Sequence, residues 1–284
     1  MPSFDLSRYR FRLSGDDLGA LILIAAGEVV PDQLADSVAG LRDAGLIWPD
    51  GRLAEALQPL ITTVLDASAV IGIETAGPEG GLAHGVLVGE EESFSHEAWP
   101  GESESEYVRV DRNMLVWELA RMVNLQRTEP PTYGPRTVTA TLGALDGALG
   151  AMGTATAEQP SAVRTALSAN GVPAGPELER LAELIVHLRC SWRITAAWPG
   201  DDGTEPGLTA RGFAVWDCGG FGYWHRELPA EPVIEGTTGP SVPLRLVAIR
   251  PRDIWEMLAE LLPDAPSLTA ARLRSTADGP ALLR

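Results

Sequence analysis

The chain has 284 residues, of which 45% are hydrophobic, and its formal net charge at pH 7 is −17. This composition is typical of a globular protein, and the length is sufficient for one large domain or two packed halves. All 22 basic residues are arginines, and the acidic excess would repel nucleic-acid phosphates and anionic lipid headgroups. We therefore expect neither nucleic acid nor membrane insertion.

The apolar run at residues 18–26 follows three arginines and so resembles a signal peptide, but Asp16 and Asp17 separate the charges from the run. The run is also too short to span a bilayer. We interpret it as a buried amphipathic helix that Ser14 or Asp16 could cap. The two cysteines form no CxxC motif and indicate thiols in a reducing compartment. These features together predict a cytoplasmic protein.

Hydrophobic periodicity predicts helices, then strands, then one further helix in the first part of the chain. The predicted elements are a strand at Phe11–Leu13, helices at Asp16–Ala26, Pro31–Ala44 and Leu53–Leu65, strands at Ala69–Glu74, His84–Glu90 and Tyr107–Val110, and a helix around Trp117.

The second part of the chain gives the same succession of patterns. The predicted elements are helices at Ala162–Ser168 and Leu178–Leu188, strands at Ser191–Ala196, Gly212–Asp217 and Leu244–Ile249, and a helix around Trp255. Gly222–Arg226 either continues the second strand or hairpins back.

Short segments recur in the same order in the two parts, which indicates an internal duplication. WELARMV at 117–123 matches WEMLAEL at 255–261, and LRDAGL at 41–46 matches LSANGV at 167–172. The pattern predicts an α+β fold, in which two pseudo-symmetric halves share a central antiparallel sheet of about six strands flanked by helical bundles. We expect Trp117 and Trp255 to be equivalent core anchors.

The predicted boundaries follow from the same comparison of the two parts. Residues 1–127 form the N-terminal half, and residues 161–284 form the C-terminal half in the same order. Residues 128–160 are rich in Pro and Gly and read as a linker followed by a loose helix, which is either part of the body or mobile.

No sequence motif indicates an active site. The chain has no GxSxG, P-loop, HExxH or SxxK motif, and no two of its four histidines have metal-ligand spacing. We therefore predict no catalytic residue, cofactor or metal site. One alternative stays open, because His96–Glu97 and His225–Glu227 fall at equivalent places in the two halves. If the halves bring them together, they could form an acid/base or metal site.

The acidic segment at residues 90–106 has two interpretations, a solvated loop or a docking surface that selects partners by charge. Phe94 and Trp99 within it favour docking if they are exposed, because exposed aromatic side chains often anchor interfaces. Tyr223 and Trp224 raise the same question in the second half. If these side chains are buried, they contribute only to packing.

Four stretches resemble the EspG family, the chaperones of type VII (ESX) secretion. They are FRLSGDDLGALILIAAG at 11–27, LRDAGLIWPDGRL at 41–53, RGFAVWDCGGFGYW at 211–224 and LVAIRPRDIWEMLAELLP at 246–263. The resemblance implies a cytosolic, non-enzymatic chaperone that binds the helical tip of a secreted PE–PPE or WXG100-like pair. Helix-in-groove recognition is the binding mode expected of such a protein.

The resemblance directs attention to the loop after the first long strand. With the aromatic candidates, the predicted partner-binding residues are Glu74, Thr75, Pro78, Glu79, Leu82, Phe94, Trp99, Tyr223 and Trp224. Three alternatives remain: an enzyme that uses the paired histidines, a small-ligand binder with a cavity between the halves, and a structural homodimer. The sequence allows either a monomer or a homodimer.

Overall fold

The computed structural model of the chain describes residues 1–78, 80–152, 159–201, 206–227 and 239–262. Within these residues an eleven-stranded sheet forms the centre of the molecule, and every pair of neighbouring strands is antiparallel. Helices cover parts of both faces of this sheet. The α+β class with a central antiparallel sheet is therefore confirmed.

The elements follow the predicted order, with more strands than expected. The first part contains β1 (Ser3–Asp5), β2 (Arg10–Ser14), α1 (Gly15–Ala25), α2 (Ala35–Asp43), α3 (Gln58–Leu65), β3 (Ala69–Gly77), β4 (Gly80–Val88), β5 (Ser93–Ala98), β6 (Glu104–Val110) and α4 (Leu115–Met122). The second part contains β7 (Thr137–Thr141), α5 (Leu142–Met152), α6 (Gln159–Ala169), α7 (Pro176–Val186), β8 (Cys190–Asp201), β9 (Pro206–Asp217), β10 (Tyr223–Arg226), β11 (Pro243–Ile249) and α8 (Pro251–Leu261).

The sheet order is β1-β2-β6-β5-β4-β3-β8-β9-β10-β11-β7. From β2 onward each part supplies a strand, three helices, four strands and a helix. The two parts meet where β3 pairs with β8, with Val70 opposite Ala197 and Ala76 opposite Ser191. The centre of the sheet is therefore this β3–β8 junction.

The prediction of about six strands is wrong, because the acidic segment and the predicted linker both contribute strands. β5 lies in the acidic segment, and its one carboxylate, Glu97, forms an ion pair with Arg121 of α4. β7 lies within residues 128–160 and pairs with β11. α5 follows it, and its glycines allow close packing, since a Cβ at Gly147 would lie 2.7 Å from Asn170 Nδ2. Residues 153–158 lie outside the described part.

Three hydrophobic clusters make up the core. One lies on a single face of the sheet under α4 and α8 and includes Ile71, Ile194 and Phe213. On the opposite face, the second lies under α1–α3 and the third under α5–α7. Ser14 caps α1 in a capping box with Asp17, as the sequence predicted for Ser14.

Trp117 is not a core anchor: it is 61% exposed. The inward face of α4 is formed instead by Leu115, Leu119 and Ala120, which follow helical spacing. Trp117 points outward and meets the partly buried Trp255 of α8 edge to face, with ring centroids 4.7 Å apart. The matching tryptophans therefore join the two covering helices to each other.

Candidate partner-binding surface

None of the helices that the structure describes covers the centre of the sheet on the face opposite α4 and α8. Side chains alternate between the two faces of a strand. Ala69, Ile71 and Ile73 of β3 point into the core, so the β3 residues that alternate with them point away from it. We call this surface the central strip. Its residues are Val70, Gly72, Glu74 and Ala76 of β3, Ser191, Arg193, Thr195 and Ala197 of β8, and Leu208, Ala210 and Gly212 of β9.

The central strip is wide enough to accept an α-helix. A Cβ at Gly72 would meet no atom within 4 Å, so the described residues leave space directly above the middle of the strip. Val70 is 39% exposed and Leu208 is 62% exposed. The strip spans three strands, about 10 Å between its outer strand axes, and helical bundles stand on both sides. A helix with side chains is about 10–12 Å across and could lie along it.

The β3–β4 hairpin carries the predicted residues of the first half. Glu74 is exposed and belongs to the central strip. Thr75 and Leu82 pair across the hairpin on the other face and are half-buried, and Pro78 is exposed at the turn. Glu79 lies outside the described residues. The hairpin therefore offers side chains toward both faces of the sheet.

Trp99 is the predicted aromatic residue that the fold leaves accessible, with 50% of its surface exposed. It follows β5 in a turn in which the Glu102 backbone N–H donates to the Trp99 carbonyl. The preceding Ala98 N–H donates to His84 Nδ1 at 3.3 Å. This bond holds the start of the turn beside β4.

The predicted site is wrong at three aromatic residues, because Phe94, Tyr223 and Trp224 are buried. Phe94 belongs to the cluster under α1–α3. The Tyr223 hydroxyl accepts a hydrogen bond from the Gln126 N–H at 2.8 Å, and Trp224 Nε1 donates to the Phe221 carbonyl at 3.0 Å. Their polar atoms are satisfied inside the fold, so these residues pack the core and cannot contact a partner on the surface.

The paired histidines do not converge. His96 faces the α1–α3 side and contacts Tyr107, whereas His225 sits on the other face of the sheet. Five strand spacings separate β5 from β10, which is about 24 Å. The acid/base or metal site proposed for this pair is therefore wrong. Across the part of the chain that the structure describes, no three His, Cys, Asp or Glu side chains are grouped as metal ligands.

We expect the stability of the protein to fall as the pH drops below about 6.5, the ordinary histidine value. Burial lowers the pKa of His84, His96 and His225 in the folded state, although Glu97 opposes this for the first two and Glu227 for the third. Below pH 6.5 the unfolded chain then binds protons that the folded chain does not, which favours unfolding. Urea unfolding at pH 7.5 and 5.5 measures the effect.

Replacing all three histidines with glutamine should flatten this pH dependence. An unchanged difference in unfolding free energy between the two pH values would contradict the assignment to these side chains.

An acidic cavity lies between α3 and the β4–β5 turn, where Thr62, Asp66 and Glu90–Glu92 line it. Both cysteines are free thiols, with Cys218 buried and Cys190 half-buried. In the described residues, the helices are too short or too polar to cross a membrane.

Comparison with known proteins identifies the fold. No protein-family model matches the chain, and no curated protein matches it significantly. Among solved structures, the chain is similar to the Mycobacterium tuberculosis type VII secretion system chaperone EspG5, determined in complex with the PE25–PPE41 dimer. The identity is 11% and the TM-score 0.53, and the match covers 89% of this chain and 97% of that chain. The chain therefore has the EspG fold, as its sequence resemblance implied.

Proposed function

We propose that the protein is a cytoplasmic chaperone of a type VII secretion system that binds the helical tip of a PE–PPE dimer on the central strip. The observation that carries the proposal is the open, small-residue strip at the middle of a sheet whose fold matches EspG5. The EspG5 structure was determined in complex with a PE–PPE dimer, which supports a PE–PPE dimer as the class of partner.

The proposed mechanism is coverage of an apolar surface that would otherwise aggregate. Gly72, Gly212 and Ala210 have no side chain larger than a methyl group, so a helix backbone can approach the sheet closely at these positions. Exposed Val70 and Leu208 supply apolar contacts on the outer strands of the strip. Apolar area removed from water contributes roughly 25 cal/mol per Å², which favours docking of an amphipathic helix.

Co-expression with PE–PPE pairs encoded in the same genome tests the proposal. We expect one pair to become soluble and to co-purify with the chain through size exclusion. Solubilisation of only a WXG100-like pair would reassign the partner class. If the chain solubilises neither kind of pair, the proposed function is wrong.

Trp99→Ala should weaken this complex by about 2 kcal/mol if Trp99 is an interface anchor beside the hairpin. Trp117→Ala is the matched control, since Trp117 is even more exposed but lies on the α4–α8 face. Isothermal titration of each variant with the co-purifying pair gives the comparison. Equal affinities for the two variants would remove Trp99 from the proposed site.

A further inference from the structure

The two helices on the α4–α8 face carry complementary features on their outward sides. Met114 at the N-cap of α4 and Trp117 one turn later are 50% and 61% exposed. On α8 the exposed Ala259 lies one turn beyond Trp255, at the position that matches Arg121 of α4. One helix therefore presents a large apolar projection, and the other presents a position with only a methyl side chain.

Trp117 is held in a defined orientation although it is exposed. Its ring meets that of Trp255 edge to face, and the neighbouring Glu118 is fixed by an ion pair with Arg121 at 2.7 Å. A side chain that is already ordered loses less conformational entropy when it enters an interface. Exposed tryptophan and arginine side chains are typical of the residues that dominate the energy of protein interfaces.

The charges around Trp117 largely cancel within the α4–α8 face. Three carboxylates there form ion pairs with arginines, Glu118 with Arg121, Asp253 with Arg250 and Glu256 with Arg252. The whole chain carries a net charge of −17, so two copies repel each other when acidic surfaces approach. This repulsion is weakest where the local charge is paired. The paired charges also supply no excess charge that would steer an acidic or basic protein to this face.

We propose that two copies of the chain form a reversible dimer through this face, with α4 of each copy packed on α8 of the other. A two-fold axis makes the two contacts identical, so one projection and one gap on the same surface give a self-complementary interface. Trp117 of each copy lies against Ala259 of the second copy in this arrangement. The central strip is on the opposite face of the sheet, so the dimer leaves it uncovered in both copies.

Sedimentation velocity at concentrations from about 1 to 100 µM tests for the dimer. We expect the mass to rise from that of one chain toward that of two. Trp117→Arg should raise the dissociation constant about 100-fold, because it removes the apolar anchor and adds a charge. Trp48→Arg is the matched control, since Trp48 is 46% exposed in the turn after α2 and should dimerise like the wild type.

A second variant tests the two-fold contact itself. Ala259→Glu alone should be monomeric, because its carboxylate would lie against Trp117 of the second copy. An equimolar mixture of Ala259→Glu and Trp117→Arg should dimerise, since one of the two contacts is then wild type and the other joins the two introduced charges. Both positions are exposed, so urea unfolding should show that each variant remains folded.

Three results would overturn the inference. They are a wild-type chain that is monomeric at every concentration, equal dissociation constants for Trp117→Arg and Trp48→Arg, and a mixture of the two charge variants that stays monomeric. A monomeric wild type would leave the α4–α8 face to another protein or to residues outside the described part of the chain. None of these measurements uses a PE–PPE pair, so their failure would not affect the proposed function.

Discussion

Replacing Gly72 with tryptophan should weaken binding of the PE–PPE pair by about 100-fold, roughly 2.7 kcal/mol, and leave the unfolding free energy nearly unchanged. The indole would occupy the space above the centre of the strip that the described residues leave, since a Cβ at Gly72 meets no atom within 4 Å. A docked helix would then overlap with it, and forcing extra atoms into a packed contact is unfavourable. Because tryptophan has a high strand propensity, β3 should tolerate the change.

Gly15→Trp is the matched control for this substitution. Gly15 is also exposed with open space around it, but it begins α1 next to the edge of the sheet, four strands away from β3. Titration calorimetry and urea unfolding of the two variants give both quantities. Wild-type affinity in Gly72→Trp would show that the partner does not use the central strip.

Trp224→Ala should lower the unfolding free energy by about 3–5 kcal/mol, the range for truncating a large buried aromatic side chain. Trp224 is 1% exposed, and its indole N–H donates to the Phe221 carbonyl. The variant would leave a cavity in the α5–α7 cluster and an unpaired carbonyl. Trp117→Ala should lower the unfolding free energy by only about 1 kcal/mol, since this variant loses mainly the edge contact with Trp255.

Urea unfolding followed by circular dichroism compares these two tryptophan variants. Trp224→Phe keeps most of the ring volume and removes the indole N–H, so it should fall between wild type and Trp224→Ala. A larger loss in Trp117→Ala than in Trp224→Ala would contradict the burial assigned to the two side chains.

The order of helices and strands could be predicted from the sequence because each element carries its own periodicity. α3, α7 and α8 each place apolar residues at helical spacing, and β3 is a short run rich in Val and Ile. β5 escaped prediction because its segment is strongly acidic. Only the tertiary structure supplies the arginines, such as Arg121, that neutralise those carboxylates.

The site was harder to predict, because exposure depends on the face that a side chain occupies. Trp117 and Trp224 have the same hydrophobicity, but helix α4 turns one outward and the pairing of β10 turns the other inward. The central strip did leave a signal in the sequence. Ile71 and Ile73 of β3 flank Gly72, and Trp192, Ile194 and Trp198 of β8 alternate with smaller or charged residues, which indicates one packed face and one open face.

Hydroxyl-radical footprinting of the chain with its co-purified PE–PPE pair is the most direct test of partner docking on the central strip. We predict that Val70 and Leu208, the exposed apolar side chains of the strip, lose reactivity in the complex. Trp117, on the opposite face, should keep it. Protection of Trp117 with unchanged reactivity at Val70 and Leu208 would place the partner on the α4–α8 face and contradict the proposed site.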